Sequence, residues 1–137
     1  MDDVMMMTLW YDGLTFAGTK GTGDVGPKTL TISNMEASST YDIRIVSVRF
    51  NGSKTARKTK FELSGVSDSM EICQGIKIAN ASGSYSKWED VPIDEYVCVF
   101  ENVAPDTEGN VLINITAIDT GSACDAHINA IQIFKRF

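Results

Sequence analysis

The sequence predicts a single all-β domain, an antiparallel β-sandwich of jelly-roll type with about eight strands. Three observations predict it. Short runs in which apolar and polar residues alternate at period two recur from Thr8 to the closing Phe137. Clusters of Gly, Pro, Asn, Asp and Ser separate those runs, as turns require. The chain has 137 residues, 43% of them apolar, with 11 glycines and 3 prolines, which suits one packed β domain spanning residues 1–137.

Thr8 to Phe16 is the first strand, and Trp10, Leu14 and Phe16 share a parity that predicts burial of Trp10. The connection AGTKGTGDVGPK that follows looks at first like a phosphate-binding loop. Pro27 removes an N–H where backbone donors would cradle phosphate, and Thr29-Leu-Thr-Ile alternates as a strand where a helix N-terminus is needed. Nucleotide binding is therefore rejected, and the connection is a surface loop. Asn34 to Thr40 is a polar turn. Tyr41 to Phe50 is the longest alternating run, but its phase slips, since Tyr41, Ile43 and Ile45 share one parity and Val46, Val48 and Phe50 the other. A bulge near Ile45–Val46 would keep both halves inward.

Asn51-Gly52 is a hairpin dipeptide. Lys54, Arg57, Lys58 and Lys60 then form a basic hairpin tip, read as solvated, with a patch for acidic sugars as the functional alternative. Phe61–Leu63 is a short return strand, and Met70 to Ala79 another, with Ile72, Ile76 and Ile78 inward. Residues 80–95, NASGSYSKWEDVPIDE, form a polar loop. From Phe100 the pattern is a strand end, a Pro/Asp/Gly turn, a strand with Val111, Ile113, Ile115 and Ala117 on its core face, a polar loop and a closing strand. In that last strand Ile131 and Ile133 share parity with Asn129, so the core row is expected to hold an amide with hydrogen-bond partners.

Several functions are excluded or disfavoured on composition. The formal charge of −6 opposes binding to nucleic-acid phosphates or to an anionic membrane surface. No stretch approaches the roughly 20 apolar residues of a membrane span, so no membrane insertion is expected. The acidic start MDDVMMMTLWYDG lacks the basic region and cleavage site of a signal peptide. The three cysteines, Cys73, Cys98 and Cys124, have no C-x-x-C spacing, which disfavours zinc. Cys98 alternates with Tyr96 and Phe100 and is predicted buried. Cys73 falls beside Glu71 and Lys77, so a bridge between the two is awkward, and no disulfide is assigned.

Catalysis is not predicted either. The one histidine, His127, would have to serve as base with Ser122 or Cys124 as nucleophile. It begins a strand beside Asp125, as an ordinary hydrogen-bonded edge histidine does, and the chain has no Gly-x-Ser-x-Gly elbow. Asn51, Asn80 and Asn114 head N-x-S/T sequons, which are glycan acceptors only in a secreted eukaryotic protein.

The string Phe100-x-Asn-Val-x-Pro-Asp106-x-x-Gly109-x-Val111-x-Ile-x-Ile, followed by Ile128-Asn-Ala-Ile-Gln-Ile133, resembles the end of bacterial galactose-binding-like, malectin-like β-sandwich domains. Leu30-Thr-Ile-Ser-Asn-Met, leading to Tyr41-Asp-Ile43, and Leu9-Trp-Tyr-Asp-Gly-Leu-Thr-Phe16 are similar to earlier strands of that family. The resemblance implies a non-catalytic carbohydrate-binding or accessory module of an extracellular or cell-surface protein, cut from a larger chain, with a glycan and neighbouring domains as partners. It also implies that some members hold a structural calcium at the sandwich edge. Calcium needs about six to eight converging oxygens, the acids here are scattered, and no residue is assigned to metal or other cofactor. Leu30-x-Ile and Tyr41-x-Ile-x-Ile also resemble fibronectin type III domains, whose role is that of a spacer or protein-interaction domain.

The candidate binding residues lie in the loop of residues 80–95. Tyr85 and Trp88 are large aromatics set among Ser, Lys and Asp rather than in an alternating run. Either they pin the loop to the sandwich, or they offer ring faces to sugar C–H patches, with Lys87, Asp90 and Asp125 as the polar rim.

Overall fold

The computed structural model describes residues 4–17, 28–47, 58–66, 69–73, 96–117 and 125–137, and side chains within 28–47, 59–66, 96–116 and 128–137. These residues form eight strands: β1 (Val4–Ala17), β2 (Lys28–Ile32), β3 (Tyr41–Val46), β4 (Lys58–Leu63), β5 (Ser69–Cys73), β6 (Val97–Val103), β7 (Val111–Ala117) and β8 (Asp125–Lys135). They make two four-stranded sheets in the orders β1-β8-β3-β6 and β2-β7-β4-β5. Every pairing is antiparallel. The first strand pairs with the last, the second with the seventh, the third with the sixth and the fourth with the fifth, as in one long hairpin rolled into two layers. That winding is the jelly roll the alternating runs predict.

The core lies between the layers. Val111, Ile113 and Ile115 of β7 are fully buried, as their parity predicts, while Leu112 on the other parity is 41% exposed. Opposite them, Ile43 and Ile45 pair with Ile133 and Ile131, and with Phe100 and Cys98, in two rows across the middle of the other sheet. Burying each such isoleucine contributes roughly 1.5 to 3 kcal/mol. Tyr41 closes the core at one end, and its hydroxyl accepts the N–H of Glu36 at 2.8 Å.

The turns at this end tie the layers together. Asp106 Oδ1 accepts the N–H groups of Glu108 and Asn110, shaping the β6–β7 turn. That turn meets the β2–β3 turn through Met35 N–H to Gly109 O, at 2.9 Å. Gly109 has φ 79°, and a Cβ there would stand 2.2 Å from Met35 O, so only glycine fits. Gly65 in the β4–β5 turn is held in the same way against Ala104, and Ser64 both donates to and accepts from the backbone of Leu112.

Four sequence expectations are corrected. β3 ends at Val46, the buried parity runs on from Tyr41 through Ser47, and pairing with β8 is unbroken from Tyr41 to Val46. The bulge is instead in β6, where Glu101 and Asn102 together face Asp42. Asn102 has φ 56°, a left-handed conformation that Asn tolerates better than most residues. Asn129 is only partly buried and has a partner, while Ile128 joins the core cluster. The register of β8 against β1 shifts at this point, between Trp10 and Leu14, so parity no longer carries over from Ile131. Third, the basic stretch is not wholly a hairpin tip: Lys58–Lys60 belong to β4, where Lys60 pairs with Glu62 at 2.8 Å. The first strand also begins at Val4 rather than Thr8.

Cys98 is fully buried and free, as its parity predicts. Burial pushes its thiol up to about 12. At pH 8 only roughly one such thiol in ten thousand is thiolate, the reactive form. Native protein should therefore leave Cys98 unlabelled by a bulky thiol reagent until denaturant is added, as read by peptide mass spectrometry; rapid native labelling would contradict the packing described.

Candidate functional site

Of the loop-site, catalytic and tryptophan residues singled out by sequence, only Asp125, His127 and Trp10 have a described backbone. Tyr85, Lys87, Trp88 and Asp90 lie outside the described residues, as do Ser122 and Cys124. Asp125 is the first residue of β8, opposite Ala17, and His127 pairs with Thr15; the side chains of both lie outside the described set, as does that of Trp10, whose backbone pairs with Ala130. Strand alternation places the end of β5 at Cys73 and the start of β8 at Asp125 together, away from the turns built by residues 33–40, 64–66 and 104–110.

Among the described side chains, a different surface combines apolar and polar groups. It is the outer face of β8, β3 and β6. The register aligns Gln132, Arg44 and Val99 in one row, one step out of phase with the core rows. The guanidinium of Arg44 lies over the ring of Phe134, 4.7 Å from its centroid. Such a stack contributes about 0.5 to 1 kcal/mol at an exposed site and fixes the orientation of the cation. Phe134 and Gln132 are half-buried, Arg44 is exposed, and Val99 is 41% exposed. The next row on this face, Ala130–Val46–Val97, is covered at Ala130 and Val97, so the accessible patch stops there.

In the other direction the patch runs into a groove of about 380 Å³ lined by Val66, Val99, Phe100, Glu101 and Asn102. Two alternating strands would give this groove an ordinary edge. The bulge changes that: two consecutive residues, Glu101 and Asn102, are exposed side by side at the end of β6, next to the apolar wall of Val66 and Val99.

A charged network stands behind the bulge. Asp42 Oδ1 accepts from Asn102 N–H at 3.0 Å and from Arg136 Nε at 2.7 Å. Arg136 Nη2 stands 3.9 Å from Glu101 Oε2, and its backbone N–H donates to Thr40 O. Lys135 pairs with Glu36 beside it. Burial of Asp42 works to raise its carboxyl pKa, but the hydrogen bonds from Arg136 and Asn102 and the positive charges of Arg136 and Arg44 outweigh it, so the group is held below the usual aspartate range. The hydrogen bond from Lys135 lowers Glu36 in the same sense.

Chemically this surface can hold a neutral ligand that has both C–H faces and hydroxyls. Ring and valine surfaces suit the former; Glu101 accepts, Arg44 donates, and the amides of Gln132 and Asn102 do both. Among the described residues no three His, Cys, Asp or Glu side chains group as metal ligands, and no helix is long and apolar enough to cross a membrane. Sequence reasoning passed over Phe134 because it sought aromatics outside strands. The available signal was parity: Phe134 shares the polar parity of Gln132, opposite Ile131 and Ile133.

No protein-family model matches the chain, and no curated protein matches it. Among solved structures, the native structure of a family 35 carbohydrate binding module from Clostridium thermocellum is similar over 97% of this chain and 98% of that one. The identity is 15% and the TM-score 0.39. A likeness so distant bears on neither ligand nor site.

The lowered Asp42 carboxyl makes a prediction. Its folded pKa lies below its unfolded value, so in acid the unfolded chain binds the proton more readily and protonation favours unfolding. The stabilisation is present above about pH 4 and is lost as pH falls from there towards the lower folded value. Melting curves across that window should show a steeper acid loss of Tm for wild type than for Asp42→Asn; parallel curves would contradict it.

Proposed function

We propose that the protein is a non-catalytic carbohydrate-binding or accessory module of an exported, glycan-active multidomain protein, and that it takes a glycan on the outer face of β8, β3 and β6. One observation carries the reading. Tyr41, Phe61 and Phe100 are buried in the core, whereas Phe134 stays partly exposed beside Arg44 and Gln132, on a patch that opens into the Glu101–Asn102 groove. Sugar rings present C–H patches that pack on aromatic and aliphatic surfaces, while their hydroxyls need donors and acceptors at the rim. A spacer with no ligand has no need to place these groups together.

The end of the sandwich where β5 stops and β8 starts is the competing location, with Trp88 and Tyr85 as stacking platform and Lys87, Asp90 and Asp125 as rim. It is supported by the shared end of Cys73 and Asp125 and by the sequence contrast of the loop.

A glycan array followed by calorimetric titration of the best soluble oligosaccharide tests both. Arg44→Ala and Gln132→Ala should each weaken binding by about 1 to 3 kcal/mol, with little change in Tm. Loss of binding in Trp88→Ala, with Arg44→Ala unaffected, would move the site to the loop end. No glycan bound at millimolar concentration would refute the carbohydrate reading.

A further inference from the structure

We propose that Asp42 is the positioning residue of the groove: through one carboxylate oxygen it holds the β6 bulge that presents Glu101 and Asn102 to a ligand. The inference rests on the reading of this face as a binding surface, and it goes further by naming what sets the groove's shape. Asp42 does not line the groove. It stands in β3 between Tyr41, which pairs with Val103, and Ile43, which pairs with Phe100, so one residue of β3 faces two of β6. Backbone pairing alone does not hold the extra residue. Asn102 also sits at φ 56°, which costs any residue with a Cβ. Its N–H is satisfied by Asp42 Oδ1 at 3.0 Å, a side-chain acceptor standing in for the ladder.

That oxygen is itself fixed from the far side. Arg136 Nε donates to the same Oδ1 at 2.7 Å, while the Arg136 backbone is anchored to Thr40 and its Nη2 faces Glu101. The chain of contacts therefore runs from the end of β8, through Asp42, to the two groove residues. An aspartate suits this place because its short side chain reaches across one ladder step and its charge accepts two donors at once. Asn keeps the acceptor without the charge; Ala removes both.

The test uses the full chain, labelled with nitrogen-15, with the Asn102 amide as readout and soluble xylo-, manno-, cello- and galacto-oligosaccharides as probes. Asp42→Ala should shift the Asn102 amide resonance, speed its hydrogen exchange and lower affinity for whichever probe wild type binds by about ten-fold or more. Asp42→Asn should restore the amide signature and keep affinity within about three-fold of wild type. A purely structural aspartate would move Tm in both variants without this local signature or its rescue. An Asn102 amide with wild-type shift and exchange in Asp42→Ala would overturn the proposal. Should Asp42→Ala fail to fold, wild type alone decides: protected exchange of Asn102 supports the contact, and exchange at the free-peptide rate overturns it. If wild type binds no probe, the carbohydrate reading fails while the amide experiment still decides the role of Asp42.

Discussion

The turn between β6 and β7 is the constraint on which the sandwich depends. It carries the chain from one sheet to the other, and two other turns are fitted to it. Asp106 closes it from within by accepting two backbone donors. Gly109 lets Met35 of the β2–β3 turn approach, and Ala104 receives Gly65 of the β4–β5 turn. A residue with a Cβ at either glycine would meet backbone oxygen, and a backbone atom cannot move aside as a flexible side chain can. The spacing of the two layers, and hence the packing of Ile43, Ile45, Ile113 and Ile115 between them, follows from these contacts.

The same end of the molecule carries the groove. A few residues before the turn, β6 departs from regular pairing at Glu101 and Asn102, and the departure is sustained by a side chain of β3 rather than by the ladder. Rigidity and site are therefore neighbours. The turn cluster fixes where β6 ends, the Asp42–Arg136 pair fixes how it bulges, and the Arg44–Phe134 stack holds the adjoining face in one orientation. A surface preorganised in this way loses less entropy on binding than one made of mobile side chains.

Much of the fold was legible in the sequence. The alternating runs at Tyr41–Phe50, Tyr96–Phe100 and Val111–Ala117 pointed to the strands found at Tyr41–Val46, Val97–Val103 and Val111–Ala117, and Pro105-Asp106 with Gly109 located the turn that joins the sheets. Strand alternation also buried Cys98 correctly. Parity failed where pairing becomes irregular. It misread Asn129 because β1 shifts register against β8, and it put a bulge in β3 because the apolar phase changes after Ile45, one residue before β3 ends at Val46. A bulge is a property of two strands at once, so the pattern of one strand cannot place it. The candidate site was less legible still: Arg44, Val99 and Gln132 come together only through register between strands distant in sequence. The aromatics that sequence did single out, Tyr85 and Trp88, remain a proposal for the opposite end.

Glycan recognition on the outer face of β8, β3 and β6, as proposed, requires that a bound sugar perturb that face. Amide and side-chain chemical-shift mapping during titration with the oligosaccharide bound most tightly on the array tests it most directly. The shifts should concentrate at Arg44, Val99, Glu101, Asn102, Gln132 and Phe134. Shifts confined to residues 80–95 and Asp125, with that face unchanged, would contradict it.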